Sequence, residues 1–367
     1  MNAIEFNVKL ARSLYLCLNL ILSVLYSYIT VKFISVYNFP IYIILFITTL
    51  IEFFILLDTS YLKIITGIKT KYLYYMLIVF SIVMFIFKSN INITYVLIFY
   101  FVYYLLITIV LLNYNLFVIE ESKSIKAGVT DISIYSNLSK LLGFSLGSYI
   151  YKVNIEEYLI VFIIVFVLFS SLKINNFKNQ TEKNSERLVF NDLKRKYIIV
   201  NTALLSGTAV FFIPMFIKQL ATRNLIQYSS IVFFIPGLTV VLFLILTKKY
   251  EINLNNILIS YIILDMVFFI FVICKVFLPL QVILLSLIVA LGVSISIKLR
   301  TNFIKINDKE YRKSILQIFR ISAPLFTIIL SLIGFYLENI AYYILLINIL
   351  SAVHVLYVNL SNNKVIL

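Results

Sequence analysis

The chain has 367 residues, of which 62% are hydrophobic and only 13% charged, with a mean hydropathy of +1.03. Soluble domains run at about 45–50% apolar and about 25% charged, and a chain folded in water has to cover itself with water-compatible groups. This composition excludes a water-soluble globular protein and places the chain in a bilayer. The formal charge of +15 does not point to nucleic acid, because the basic residues sit in short blocks between apolar runs and not along one polar face.

Apolar runs near the length of about 17–25 residues that crosses a bilayer recur twelve times: 13–31, 40–57, 72–88, 93–112, 131–151, 158–172, 197–217, 226–247, 256–274, 279–297, 315–337 and 339–357. The expected fold is therefore all-α and polytopic, with about twelve transmembrane helices. The first run is too long for a cleavable signal and lacks a small-residue cleavage site. The second holds Glu52, with Thr48 and Thr49 one turn earlier on the same face. An ionised group at mid-bilayer costs on the order of 2.5–3.5 kcal/mol, so it should face other helices. The second run leads into Gly67-Ile-Lys-Thr-Lys71. There the glycine permits a tight reversal and Lys69 and Lys71 hold the loop at one membrane face.

The fifth run places Ser136, Lys140, Gly143 and Gly147 on one helical face by their 4-3-4 spacing. Small residues allow close helix approach, and a single cation on such a stripe can meet a polar or anionic solute. The polar stretch 173–196 carries seven basic residues and divides the chain near its middle. In the second half, Asp265 lies within the ninth run, remote in sequence from any basic residue. Arg320 starts a stripe with Pro324, Thr327, Ser331 and Gly334 in the eleventh. Glu52, Lys140, Asp265 and Arg320 are thus the intramembrane charges and the candidate substrate-binding or coupling residues. Structural roles stand beside these: a fixed Glu52–Lys140 ion pair, Arg320 reaching to the headgroups, GIKTK as a topology anchor alone, and the glycines as packing residues.

Loop charge sets the orientation. With the N-terminus inside, cytoplasmic segments carry 23 of the 31 Lys and Arg residues and outer segments carry 6, leaving Lys140 and Arg320 in spans. Both termini are expected on the cytoplasmic side of the cell membrane. A weak internal repeat, Gly147–Ile150 against Gly334–Leu337, pairs the fifth span with the eleventh. Six helices, a basic linker and six more, with the Gly67/Lys69/Lys71 loop before the third helix and a Gly-bearing fifth helix, resemble the major facilitator superfamily of secondary transporters. The resemblance implies an N-terminal six-helix bundle over 1–172, a cytoplasmic linker over 173–196 and a C-terminal bundle over 197–367. It also implies alternating access and export of a small organic solute, with protons as a coupling ion taken up by Glu52 or Asp265. The fourth span has no Arg where proton-driven exporters of the family often carry one.

Membrane lipids and a small-molecule substrate are the expected partners, and no cofactor or metal is called for. Cys17 and Cys274 lie singly in apolar runs, and His354 is the only histidine. The chain has no Walker frame, so ATP is not its own energy source. An enzyme is not expected either: the outer loops are short and hold one acidic pair, Glu156-Glu157. A flippase for lipid-linked oligosaccharide or lipid, and a non-transporting membrane partner, remain the alternative functions.

Overall fold

A computed structural model describes residues 3–36, 42–58, 68–86, 93–122, 124–153, 193–250, 252–275, 277–306 and 340–361, with scattered helical positions between 161 and 168 and between 318 and 329. Ten long helices make up this part: α1 (Ala3–Ser35), α2 (Tyr42–Leu57), α3 (Thr70–Ile86), α4 (Ile93–Glu121), α5 (Ile125–Val153), α6 (Leu193–Thr222), α7 (Ser229–Lys249), α8 (Leu254–Ile273), α9 (Leu278–Ile306) and α10 (Ile340–Ser361). They match the predicted spans one to five, seven to ten, and twelve. The linker 173–192, most of the sixth and eleventh spans, Gly67 and Arg320 lie outside the described residues.

Helices suit a bilayer because each backbone N–H and C=O bonds within its own segment. The polar side chains of α1 follow the same logic: the hydroxyls of Ser23, Thr30 and Ser35 donate back to the carbonyls of Asn19, Tyr26 and Val31 at 2.7 Å each. Among the described residues six helices are long and apolar enough to cross a membrane, from Asn7–Ser35 in α1 to Tyr342–Leu360 in α10. The protein is a multi-pass membrane protein.

The helices extend beyond their apolar runs. The gap expected between 112 and 131 closes to a tight turn, with α4 continuing to Glu121 and α5 starting at Ile125. Ser124 caps α5 by accepting from the Ala127 amide at 3.1 Å. At Gly128 a Cβ would stand 2.8 Å from the Ile119 Cα, so only glycine lets the two helices meet this closely. Polar residues here, such as Asn113 and Ser133, are carried inside helices by their own hydrogen bonds, which an apolar count does not register.

Packing sorts the helices into a centre and a periphery. In α1, 78% of the apolar span is buried, against 28% in α8. Helix α4 packs on α1, α2, α3 and α5, and among the described residues α2 and α3 each pack chiefly on α4. The pattern recurs six spans later: α9 takes α6, α7 and α8 as α4 takes α1, α2 and α3. That recurrence is the structural counterpart of a parallel repeat. The two sets meet where α5 packs along α7, with smaller contacts of α1 on α6 and α5 on α9.

Candidate functional site

Helix α5 organises the region where the two sets meet. Toward α1 it presents Ser136, Ser139, Gly143 and Gly147. Ser139 donates to the Leu16 carbonyl at 2.9 Å, and Asn19 donates to the Ser136 hydroxyl at 3.1 Å. A Cβ on Gly143 would lie 2.6 Å from the Ser23 Cβ and 2.7 Å from the Leu20 carbonyl oxygen, and Gly147 sits as tightly on Val24 and Ser27. The glycines therefore serve packing. Toward α7, Leu141 lies against Gly237, where a Cβ would stand 2.9 Å from the Leu141 Cα. The Phe144 ring meets Phe233 at 5.1 Å. Leu142, Leu146, Tyr149 and Val153 form a third, exposed apolar stripe.

Lys140 is exposed as well, but on a different side. At about 100° per residue, it points away from the exposed apolar stripe, into the angle between the α1 face and the α7 face. One turn further along, Phe144 bridges Tyr26 of α1 at 5.6 Å and Phe233 of α7 at 5.1 Å. Beyond these rings, Val31, Ile34, Ile217 and Phe233 form a buried apolar cluster joining α1, α6 and α7. Lys140 thus lies in the angle between the faces that α5 turns to α1 and to α7, with these rings and the cluster on the side where α1 and α6 finish.

Glu52 is 2% exposed on α2, with Thr48 and Thr49 buried beside it. Its carboxylate accepts from the Tyr104 hydroxyl of α4 at 2.9 Å, and the Tyr104 ring lies 5.6 Å from that of Tyr100. The polar stripe expected on the second span is therefore turned into the first helix set.

Asp265 is fully buried on α8, on the stripe that also buries Ile257, Tyr261 and Phe268. No hydrogen-bond donor reaches either carboxylate oxygen among the described residues. Phe268 meets Phe212 of α6 at 5.1 Å, and the Tyr261 ring borders Gly292 of α9. Glu52 and Asp265 thus lie within different helix sets, while Lys140 lies where the sets meet. Lys69 and Lys71 are exposed at the start of α3.

One pair escaped the reading of the sequence. Arg12 Nη2 and Asp131 Oδ2 form a salt bridge of 2.6 Å between α1 and α5, with side chains 23% and 11% exposed. Both residues stood at predicted span edges, and nothing in their spacing marks them as partners. The clue was chemical: Asp131 is an acid at the start of an otherwise basic-flanked run.

The sequence matches no protein-family model and no curated protein. Solved structures do resemble it. The E. coli fucose:proton symporter FucP superposes with a TM-score of 0.65 at 13% identity, covering 99% of this chain and 100% of that one. The human organic anion transporter MFSD10 gives 0.65 at 12% identity, over 96% and 100% of the two chains. The nucleoside transporter NupG gives 0.58 at 15% identity, over 98% and 100%. All three are transporters, and the coverage is near-complete in both directions: the chain has the fold of these major facilitator transporters.

Proposed function

We propose that the chain is a secondary active transporter that moves a small organic solute across the cytoplasmic membrane by alternating access. The observation that carries this reading is the placement of Lys140. A cation exposed between helices of the two sets, on the side of α5 away from its outward stripe, suits a solute passage and not a lipid contact. In this reading the bundles 1–172 and 197–367 rock about the 173–196 linker, with both termini cytoplasmic as the loop charge suggests. Lys140 meets the solute, whose complementary chemistry is polar or anionic. Glu52 and Asp265 are the carboxylates able to couple movement to a proton gradient, and Arg320 is a further cation for the passage. Gly67, Lys69 and Lys71 form the cytoplasmic loop between the second and third helices. Export is the direction suggested by the family resemblance.

The reading is tested in proteoliposomes with a panel of labelled small organic acids under an imposed pH gradient. Wild-type protein should give flux that follows the gradient, and Lys140→Gln should lower it about tenfold or more, the worth of one charge-assisted hydrogen bond. Flux that ignores both the gradient and the Lys140 substitution contradicts the assignment.

A further inference from the structure

Helices α4 and α9 are each 29 residues long, Ile93–Glu121 and Leu278–Ile306, and hold equivalent places in the two helix sets. Asn113 and Lys298 stand at the same register in them, each 20 residues beyond the first residue of its helix. Each is followed two residues later by a second polar residue, Asn115 or Arg300. Both reach the connection that enters the third helix of their set. Asn113 Nδ2 donates to the hydroxyl of Thr70, the first residue of α3, at 3.4 Å. Lys298 Nζ donates to the carbonyl of Ile252, two residues before α8, at 2.7 Å. That carbonyl lies outside the helix. At the Asn253 cap the side chain accepts from the Asn255 amide at 3.0 Å, and the Asn253 carbonyl accepts from the Ile257 amide at 3.2 Å. The helical ladder starts there and has no donor for Ile252, so the donor comes from another element. Lys298 supplies it with a charge-assisted bond, shorter and stronger than the neutral one in the first set.

We propose that Asn113 and Lys298 are equivalent positioning residues, one in each helix set, that clasp the entry of the third helix to the fourth, and that Lys298 makes the second clasp the firmer. The clasp matters because the third helices are held by little else. Among the described residues α3 packs chiefly on α4, and only 28% of the apolar span of α8 is buried. With so little apolar packing to fix where such a helix begins, a polar bond at its entry takes on that task. In the second set the connection spans only 250–253, and the Tyr250 amide still bonds the Leu246 carbonyl of α7 at 2.8 Å. Pinning Ile252 therefore holds the end of α7 and the start of α8 together. Helix α10 meets the same entry through the Asn359–Asn255 hydrogen bond. Through Lys298, a displacement of α9 passes to α8 at the end that the loop charge assigns to the cytoplasm. The clasp stands without the carrier reading, and only its part in alternating access rests on it.

Hydrogen–deuterium exchange of the purified full-length protein in detergent, read peptide by peptide, tests the clasp. Lys298→Met should speed exchange over 250–257 by about tenfold or more, the worth of a charge-assisted hydrogen bond. Lys298→Arg, which keeps a charged donor, should stay near the wild-type rate. Asn113→Leu should speed exchange over 68–73, and by a smaller factor, because the bond it removes is neutral and longer. The peptide over 229–236 in α7 should not change in any of these variants. Where Lys298→Met does not purify, Lys298→Gln carries the same comparison. Unchanged exchange over 250–257 overturns the clasp, and so does faster exchange spread evenly over α7, α8 and α9, which would make Lys298 a general stabiliser. A protein that moves solute while 250–257 ignores these substitutions loses the clasp and keeps the carrier reading; one whose exchange responds as expected without any flux does the reverse.

Discussion

Lys140, Glu52 and Asp265 were legible as residues because a charge inside an apolar run has few acceptable places to point. Their partners were not legible. Which donor meets Glu52 depends on how α2 lies along α4, and nothing near Glu52 in sequence names Tyr104. Tyr104→Phe removes that donor at 2.9 Å and should lower stability by about 1.5–3 kcal/mol, the usual worth of a hydrogen bond to a charged group. Glu52→Gln should relieve part of the loss in the Tyr104→Phe background, because the acceptor is then uncharged. Chemical unfolding of the single and double variants in detergent measures both effects. Equal losses that simply add would show that the two side chains act independently.

At the scale of elements, each described helix contains most of one apolar run, since the bilayer imposes a minimum apolar length. Their ends were hidden because helices continue past the apolar region wherever polar side chains find local partners. The α4–α5 hairpin is the clearest example, with Ser124 and Gly128 turning an expected connection into a tight corner. Gly143 and Gly147 were legible as a small-residue stripe, but only the packing of α1 decides that they make room for a helix. Gly147→Leu should therefore lose the α1–α5 contact and destabilise the protein by about 1–3 kcal/mol or more. It should be read as a lower melting temperature and a reduced monodisperse yield. The Arg12–Asp131 bridge at 2.6 Å ties the same two helices near their other end. A double-mutant cycle of Arg12→Gln and Asp131→Asn should give a coupling of about 0.5–3 kcal/mol; a coupling near zero would make the bridge incidental.

For the whole molecule, the sequence indicated two halves through its basic linker and a faint Gly-aromatic repeat, and the recurrence of the α4 packing pattern in α9 supports a repeat far more directly. Pairwise packing survives sequence divergence because each helix need only keep its apolar and small faces, not their residues. The contact of α5 with α7 was not legible, since Gly237 looked like any glycine in an apolar run until Leu141 was found against it. The Tyr26–Phe144–Phe233 rings and the Val31, Ile34 and Ile217 cluster seal α1, α5, α6 and α7 together beyond Lys140. Phe233→Ala should loosen that closure, and a cysteine placed at Ile217 should then become more reactive toward a membrane-impermeant thiol reagent. Unchanged reactivity would mean that the rings do not form the barrier.

The placement of Lys140 in an aqueous passage decides more than any other single feature. In a background where Cys17 and Cys274 are replaced by Ser, Lys140→Cys should react with a membrane-impermeant maleimide added to detergent-free membrane vesicles opened to both sides. Reaction only with a bilayer-partitioning maleimide, and none with the impermeant reagent, would place this position against lipid and contradict the account.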